Sequence, residues 1–134
     1  MTSQRVLLID DDVVLLRQMA NALVSAGYSV QAAPDGALGL ARFRTYSPHL
    51  VISDLIMPTR EGIETIMSLR NESPGLKTIA ISGGYRLGPD DFLNLARHVG
   101  ADEVLAKPFR LADLVALVKS LLARPAVADA ADAA

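Results

Sequence analysis

The chain contains no cysteine, which excludes disulfides and thiolate-bound metals. It has no excess of basic charge. Thirteen Lys and Arg stand against fifteen Asp and Glu, a net charge of −2. Composition therefore gives no electrostatic footprint for nucleic acid and no polybasic patch for an anionic membrane. No apolar run approaches the roughly eighteen residues a membrane-spanning helix needs, and the N-terminus lacks the pattern of a signal peptide. There is no internal repeat and no linker-like stretch between folded segments. What remains is 134 residues, 51% apolar and 21% charged, enough for one globular domain with a real core. A cytoplasmic location is expected.

The stretch Leu50-Val51-Ile52-Ser53-Asp54-Leu55-Ile56-Met57-Pro58 organises the rest. A short apolar run bounded by a breaker reads as a strand buried on both faces, and it delivers Asp54 to its carboxyl end. Arg5–Ile9 is a similar run, ending in Asp10-Asp11-Asp12. Leu16, Met19, Ala20 and Leu23 then recur at helical spacing, with an acidic cap in front and Gly27 behind. Tyr28–Ala33 alternates as a strand. Pro34-Asp35-Gly36 turns into a helix carrying Leu40 and Phe43, which ends before Pro48. Beyond Pro58 a helix presents Ile63, Ile66 and Met67. Lys77–Ile81 is a fourth strand, ending in Ser82-Gly83-Gly84. A helix after Pro89 carries Phe92, Leu95, Ala96 and Val99, and Gly100 ends it. Glu103–Ala106 is the last strand, closed by Lys107-Pro108, and Leu111–Leu122 is the final helix. Five strands alternating with five helices predict an α/β protein, a doubly wound parallel sheet. The alanine-rich residues 124–134 read as a disordered tail after a domain spanning 1–123.

Polar signals fall at the strand ends: the three aspartates after the first, Asp54 after the third, Ser82 after the fourth and Lys107 after the fifth. In a parallel sheet these ends share one edge, where ligands gather. Clustered carboxylates repel unless a cation lies among them, and a hard divalent ion, Mg2+ above all, suits carboxylates, a carbonyl and water. A carboxylate beside such an ion, a hydroxyl and an ammonium points to phosphoryl transfer, with Asp as nucleophile.

Ile9-Asp10-Asp11-Asp12, the run Pro48–Pro58, Glu61-Gly62, Ala80-Ile81-Ser82, Gly100-Ala101-Asp102 and Lys107-Pro108-Phe109, in this order, resemble the receiver domain of two-component response regulators over residues 5 to 122. The resemblance implies a flavodoxin-like sheet in the order 2-1-3-4-5. It implies Asp54 as phosphoacceptor, and Mg2+ held by Asp10, Asp11, Asp54 and the Ile56 carbonyl. Ser82 would be the switch hydroxyl, Lys107 the phosphate-binding lysine, and the Lys107–Pro108 bond cis. The implied role is that of a single-domain regulator resembling the chemotaxis type. A histidine kinase or histidine phosphotransfer protein would phosphorylate it, and it would catalyse only its own phosphorylation and dephosphorylation. The signal would leave through a protein target on the face of the fourth helix, fifth strand and fifth helix, with a homodimer as an additional expectation and neither nucleic acid nor membrane as a partner.

The chain also departs from the family. Val104 stands where an aromatic switch residue is usual. The stretch Gly83–Pro89 is longer than usual, which suggests that Tyr85 in this loop takes over the missing ring's role. Arg60 and Glu61 replace the usual apolar residue and aspartate after Met57-Pro58. Ile56 and Gly84 cannot orient an attacking water, so slow self-dephosphorylation is expected.

Other readings compete. Asp12 reads as a helix cap before a metal ligand. His49 and His98 read as partly exposed and structural, and Met19, Met57 and Met67 as core filler. In the last helix Leu111, Leu114, Val115, Leu117, Val118, Leu121 and Leu122 make a wide stripe. It marks either a well-buried helix or a partner surface bordered by Leu114, Leu117 and Leu121. Val6–Val13 also fits the opening motif of haloacid-dehalogenase-type phosphatases, with Asp10 as nucleophile, Asp12 as acid/base, and Ser82 and Lys107 in later motifs. That reading lacks the further acidic pair and leaves Asp54 without a role. A non-catalytic flavodoxin-like binding module would bury carboxylates with no cation, at a cost.

Overall fold

The computed structural model describes residues 3–54, 61–82 and 100–124, the side chains of 61–64 excepted. Five parallel strands, β1 (Arg5–Ile9), β2 (Ser29–Ala33), β3 (Leu50–Asp54), β4 (Lys77–Ser82) and β5 (Glu103–Ala106), form one sheet in the order β2-β1-β3-β4-β5. Four helices lie among the described residues: α1 (Val13–Ser25), α2 (Gly36–Tyr46), α3 (Glu61–Glu72) and α4 (Leu111–Ala123). The helix expected after Pro89, the Tyr85 loop, His98, Met57, Arg60 and residues 125–134 fall outside the described residues.

The capping chemistry fixes where helices begin. The Asp12 side chain accepts from Leu15 N (3.1 Å) and the Asp35 side chain from Leu38 N (2.8 Å), each satisfying an otherwise orphan amide of a first turn. Gly27, at φ 101, turns the chain out of α1, a conformation that glycine reaches at no steric cost. The α2 helix ends at Ser47 in the left-handed region. Its last carbonyls are taken by Arg5, whose guanidinium donates to Tyr46 O and Ser47 O.

Strand alternation splits the core in two. Val6, Leu8, Leu50, Ile52, Ile79 and Ile81 face one way and pack with Leu16, Met19 and Leu23 of α1 and Leu114, Val118 and Leu121 of α4. Leu7, Ile9 and Val51 face the other way, with Phe43 of α2 and Leu69 of α3. Every residue of β3 and β4 is buried, as the unbroken apolar runs predict.

Two expectations need correction. Leu114 and Leu121 do not border a partner surface; they are 0% and 1% exposed, because α4 turns that side of its stripe onto the sheet. Met67 is not core filler but 41% exposed. Among the described side chains of α3 the buried positions are Thr65, Ile66 and Leu69, and Met67 lies off that face.

The approach of α2 to β1 is close. A Cβ on Gly39 would lie 2.5 Å from Ile9 Cδ1 and 2.9 Å from Ile9 Cγ1, and Ile9 is itself buried. Gly39→Val therefore overpacks this contact, with an expected loss of about 1–3 kcal/mol. Urea denaturation checks it through a lower midpoint at unchanged slope.

Candidate functional site

The parallel register carries the polar residues to one edge. Ile9 pairs with Ser53 and Asp54 with Ile81, so β1, β3 and β4 end on the same edge, each one residue beyond the last. Asp10 follows β1 directly, its amide held by Ala33 O at 3.2 Å. Asp54 is the last residue of β3 and Ser82 the last of β4. Lys107 follows β5, and its amide donates to Ser82 O at 2.7 Å, so the backbone of the lysine is anchored on the hydroxyl-bearing residue. The Lys107–Pro108 bond is cis, as the resemblance implied.

Asp10 and Asp54 are 0% and 3% exposed, whereas Asp11 is exposed. Each of the three offers a carboxylate oxygen, and these oxygens all lie within 4.8 Å of one another. Lys107 bridges the two buried members: its Nζ is 2.9 Å from Asp54 Oδ2 and 3.1 Å from Asp10 Oδ2. Asp10 Oδ1 accepts from Asp12 N at 2.9 Å. Asp10 Oδ2 makes no hydrogen bond despite its burial, and the lysine reaches it only as a charge at ion-pair distance.

The electrostatics follow from this crowding. Burial, reinforced by the Asp54 charge, pushes the Asp10 carboxyl up to about 6, against the Asp12 amide and Lys107, which pull it down. Burial alone would lower the Lys107 ammonium, but the hydrogen bond to Asp54 and the charges of Asp10 and Asp54 outweigh it and hold its pKa up. A hard divalent cation fits this donor set. It would find three carboxylate oxygens together, one buried without a hydrogen bond, and an open side at Asp11 where water completes the coordination. The Ile56 carbonyl assigned to this site lies outside the described residues.

The sequence placed Asp10, Asp11, Asp54, Ser82 and Lys107 together, and the structure brings all five to one edge. Asp12 is elsewhere employed: its carboxylate caps α1. Two features were missed. Lys107 holds Asp10 as well as Asp54, a contact across 97 positions that no local pattern encodes. Asp102, seen only as part of a motif, is a structural clamp. Its Oδ2 accepts from Thr78 N (2.7 Å), Thr78 Oγ1 (3.3 Å) and Arg70 Nη1 (3.3 Å), tying the entry of β5 to β4 and α3. Asp102→Ala strands the Thr78 amide, and a loss of about 2 kcal/mol in chemical denaturation is expected.

The comparisons with known proteins agree with this geometry. Residues 6–119 match the response regulator receiver domain model. The Mycobacterium tuberculosis transcriptional regulatory protein PrrA is 37% identical over 123 residues, 92% of this chain and 52% of that protein. The response regulator MprA of Mycobacterium bovis is 32% identical over 130 residues, 97% of this chain and 55% of that protein. The chain thus spans about half the length of the relatives it matches. Among solved structures, a CheY-like response regulator receiver domain protein from Methanospirillum hungatei superposes with a TM-score of 0.80 at 28% identity, covering 89% of this chain and 93% of its own. The Vibrio cholerae chemotaxis protein CheY4 gives 0.81 at 26% identity, covering 90% and 99%. An acidic pocket at the carboxyl edge of a 2-1-3-4-5 sheet, the match across residues 6–119 and these relatives agree, and the chain belongs to the response regulator receiver domain family.

Proposed function

We propose that this receiver domain accepts a phosphoryl group on Asp54 from a histidine kinase or histidine phosphotransfer protein and signals through phosphorylation-dependent protein contacts. The single observation that carries the reading is the placement of Asp54: a carboxylate buried at the end of the central strand, with an ammonium at 2.9 Å and the acid pair beside it. An Asp54 carboxylate oxygen attacks phosphorus, the new P–O bond forms as the donor's P–N bond breaks, and the donor imidazole leaves as the neutral base after taking up a proton. Lys107 exchanges its contact with Asp54 Oδ2 for a phosphoryl oxygen and offsets the added charge. The Ser82 hydroxyl, one residue beyond the register partner of Asp54 on the neighbouring strand, donates to another. Asp10 and Asp11, with Asp54 and the Ile56 carbonyl, would hold Mg2+, which supplies Lewis-acid charge neutralisation on the transferring group. Asp54 is consumed and regenerated, so the protein acts on itself and is no enzyme with an external turnover. A cytoplasmic setting suits a histidine-kinase substrate, and among the described residues no helix is long and apolar enough to cross a membrane.

Signalling through the face of β5 and α4, together with the fourth helix implied by the resemblance, which lies outside the described residues, belongs to the same proposal. Leu117, half-buried on α4, can contribute to such a contact while Leu114 and Leu121 cannot. A phosphatase using Asp10 as nucleophile and Asp12 as acid/base is disfavoured by the employment of Asp12 as the α1 cap.

Incubation with phosphoramidate and Mg2+, read by intact mass, tests the reading. The wild type is expected to gain one phosphoryl adduct that EDTA abolishes and that Asp54→Asn reduces at least about 100-fold, the scale set by removing a positioned nucleophile. An adduct retained in Asp54→Asn but lost in Asp10→Asn would establish the phosphatase-like reading instead.

A further inference from the structure

The pole of the sheet opposite Asp54 carries a histidine that the phosphoryl chemistry leaves unused. His49 immediately precedes β3. Its backbone joins the ladders on both sides: His49 N donates to Arg5 O at 2.9 Å, and His49 O accepts from Lys77 N at 3.3 Å. Its ring does something further. Nδ1 accepts from the backbone amide of Arg5 at 2.9 Å, so side chain and backbone of His49 together grip both polar groups of the first residue of β1. Arg5 passes the connection on, because its guanidinium closes the last carbonyls of α2 at Tyr46 and Ser47. One imidazole lone pair thus joins the starts of β1 and β3 and, through Arg5, the end of α2.

We propose that His49 is a proton-operated latch: neutral, it pins Arg5 and the α2 terminus to the sheet, and on protonation in mild acid it releases them. An imidazole nitrogen accepts a hydrogen bond only while it carries no proton; once Nδ1–H forms, two donors face each other. The surrounding charges favour release. Arg5 stands on β1, Lys77 heads β4, and Arg124 follows α4, the latter two lining with Gln4, Ser73 and His49 a cavity of about 300 Å3. Arg124 is itself paired with the Glu103 carboxylate at 3.3 Å. Burial and the Arg5 charge both lower the His49 pKa from 6.5. For a group depressed on folding, the stabilising contact is fully present above 6.5 and is lost as pH falls below it toward the folded value. The ring is largely solvent-accessible, so the latch governs a local opening and not global unfolding.

NMR titration of the full chain between pH 7.5 and 4.5 tests the proposal. The His49 ring nitrogens are expected to titrate with a midpoint below 6.5, Nδ1 showing the acceptor form above it. The Arg5 amide proton should shift with the same midpoint, and its protection from exchange should fall after correction for the intrinsic rate. His49→Asn keeps an acceptor oxygen near the Nδ1 position without a titrating group, so its Arg5 amide should stay in the high-pH position throughout. His49→Phe removes the acceptor and should show the released position at every pH. An Arg5 amide indifferent to the His49 titration, a midpoint at or above 6.5, or an acid shift that persists in His49→Asn would each overturn the latch. The site lies at the far pole from Asp54, so phosphoramidate labelling at pH 7.5 should be unchanged in both variants.

Discussion

Lys107→Ala is expected to destabilise the metal-free protein strongly at pH 7.5 and hardly at all in saturating Mg2+. In the metal-free protein the Lys107 ammonium lies within 3.1 Å of both Asp10 and Asp54, the two buried carboxylates of the cluster. Removing one partner of a buried ion pair leaves an uncompensated charge and typically costs about 3–5 kcal/mol. Two effects reduce that figure here. The lysine side chain is itself 22% exposed. Asp10, already raised to about 6, would also take up a proton before two bare carboxylates faced each other. A loss of about 2–3 kcal/mol is therefore expected in EDTA. A divalent cation among the same oxygens replaces the missing positive charge, so millimolar Mg2+ should restore most of the loss through linkage. Thermal denaturation with and without Mg2+ reads both halves. The same variant should bind Mg2+ more tightly than the wild type, because the ion no longer competes with the ammonium for Asp10 and Asp54. Equal destabilisation in EDTA and in Mg2+ would mean that the lysine acts through packing and not charge.

Asp10→Asn should move the metal-free protein in the opposite direction. Folding raises this carboxyl from 3.8 to about 6, so the folded state holds its proton to higher pH than the unfolded chain does. Between those values stability falls as pH rises, and the cost is fully present above about 6. A displacement of that size corresponds to at most about 3 kcal/mol. Asparagine removes the charge and keeps an oxygen for the Asp12 amide, which donates to Asp10 Oδ1 at 2.9 Å. In EDTA, Asp10→Asn is expected to gain up to that amount at pH 7.5, with the gain shrinking toward zero near pH 4. In Mg2+ the order should reverse, since the wild type gains binding free energy that the variant has lost. Urea denaturation across this range, with EDTA and then with Mg2+, tests both signs. A variant less stable than wild type in EDTA at pH 7.5 would show that Asp10 is held by structure that the charge does not oppose.

The opposite signs expected at these two contacting positions are those of a site maintained for function at a cost in stability. Much of it was legible in the sequence, for reasons particular residues make plain. Asp54 stood out because an apolar strand buried on both faces tolerates a carboxylate only at its end. Lys107 stood out because a Lys-Pro pair closes the last strand of a parallel sheet whose other ends are acidic. Asp12 read as a cap because a side chain in front of an amphipathic stripe has an orphan amide within reach, and the structure supplies Leu15 N. What stayed illegible needed the third dimension. The α4 stripe is broad enough to mark either a buried or an exposed face, and only the packing against the sheet and α1 puts Leu114 and Leu121 inside. Met67 follows Ile66 in an apolar-looking run, yet one residue's rotation carries it to solvent. The grip of Lys107 on Asp10 depends on sheet register, and the grip of His49 on Arg5 on two strands that meet across 44 positions.

The assignment of Asp54 as phosphoacceptor is tested most directly by locating the modified atom. After phosphorylation with phosphoramidate and Mg2+, borohydride reduction converts an aspartyl phosphate to homoserine, which tandem mass spectrometry places in the sequence. Homoserine at position 54, absent without Mg2+ or without phosphoramidate, is the expected result. Reduction at position 10 or 11, or a stable phosphoryl group on Ser82 that borohydride leaves untouched, would contradict it.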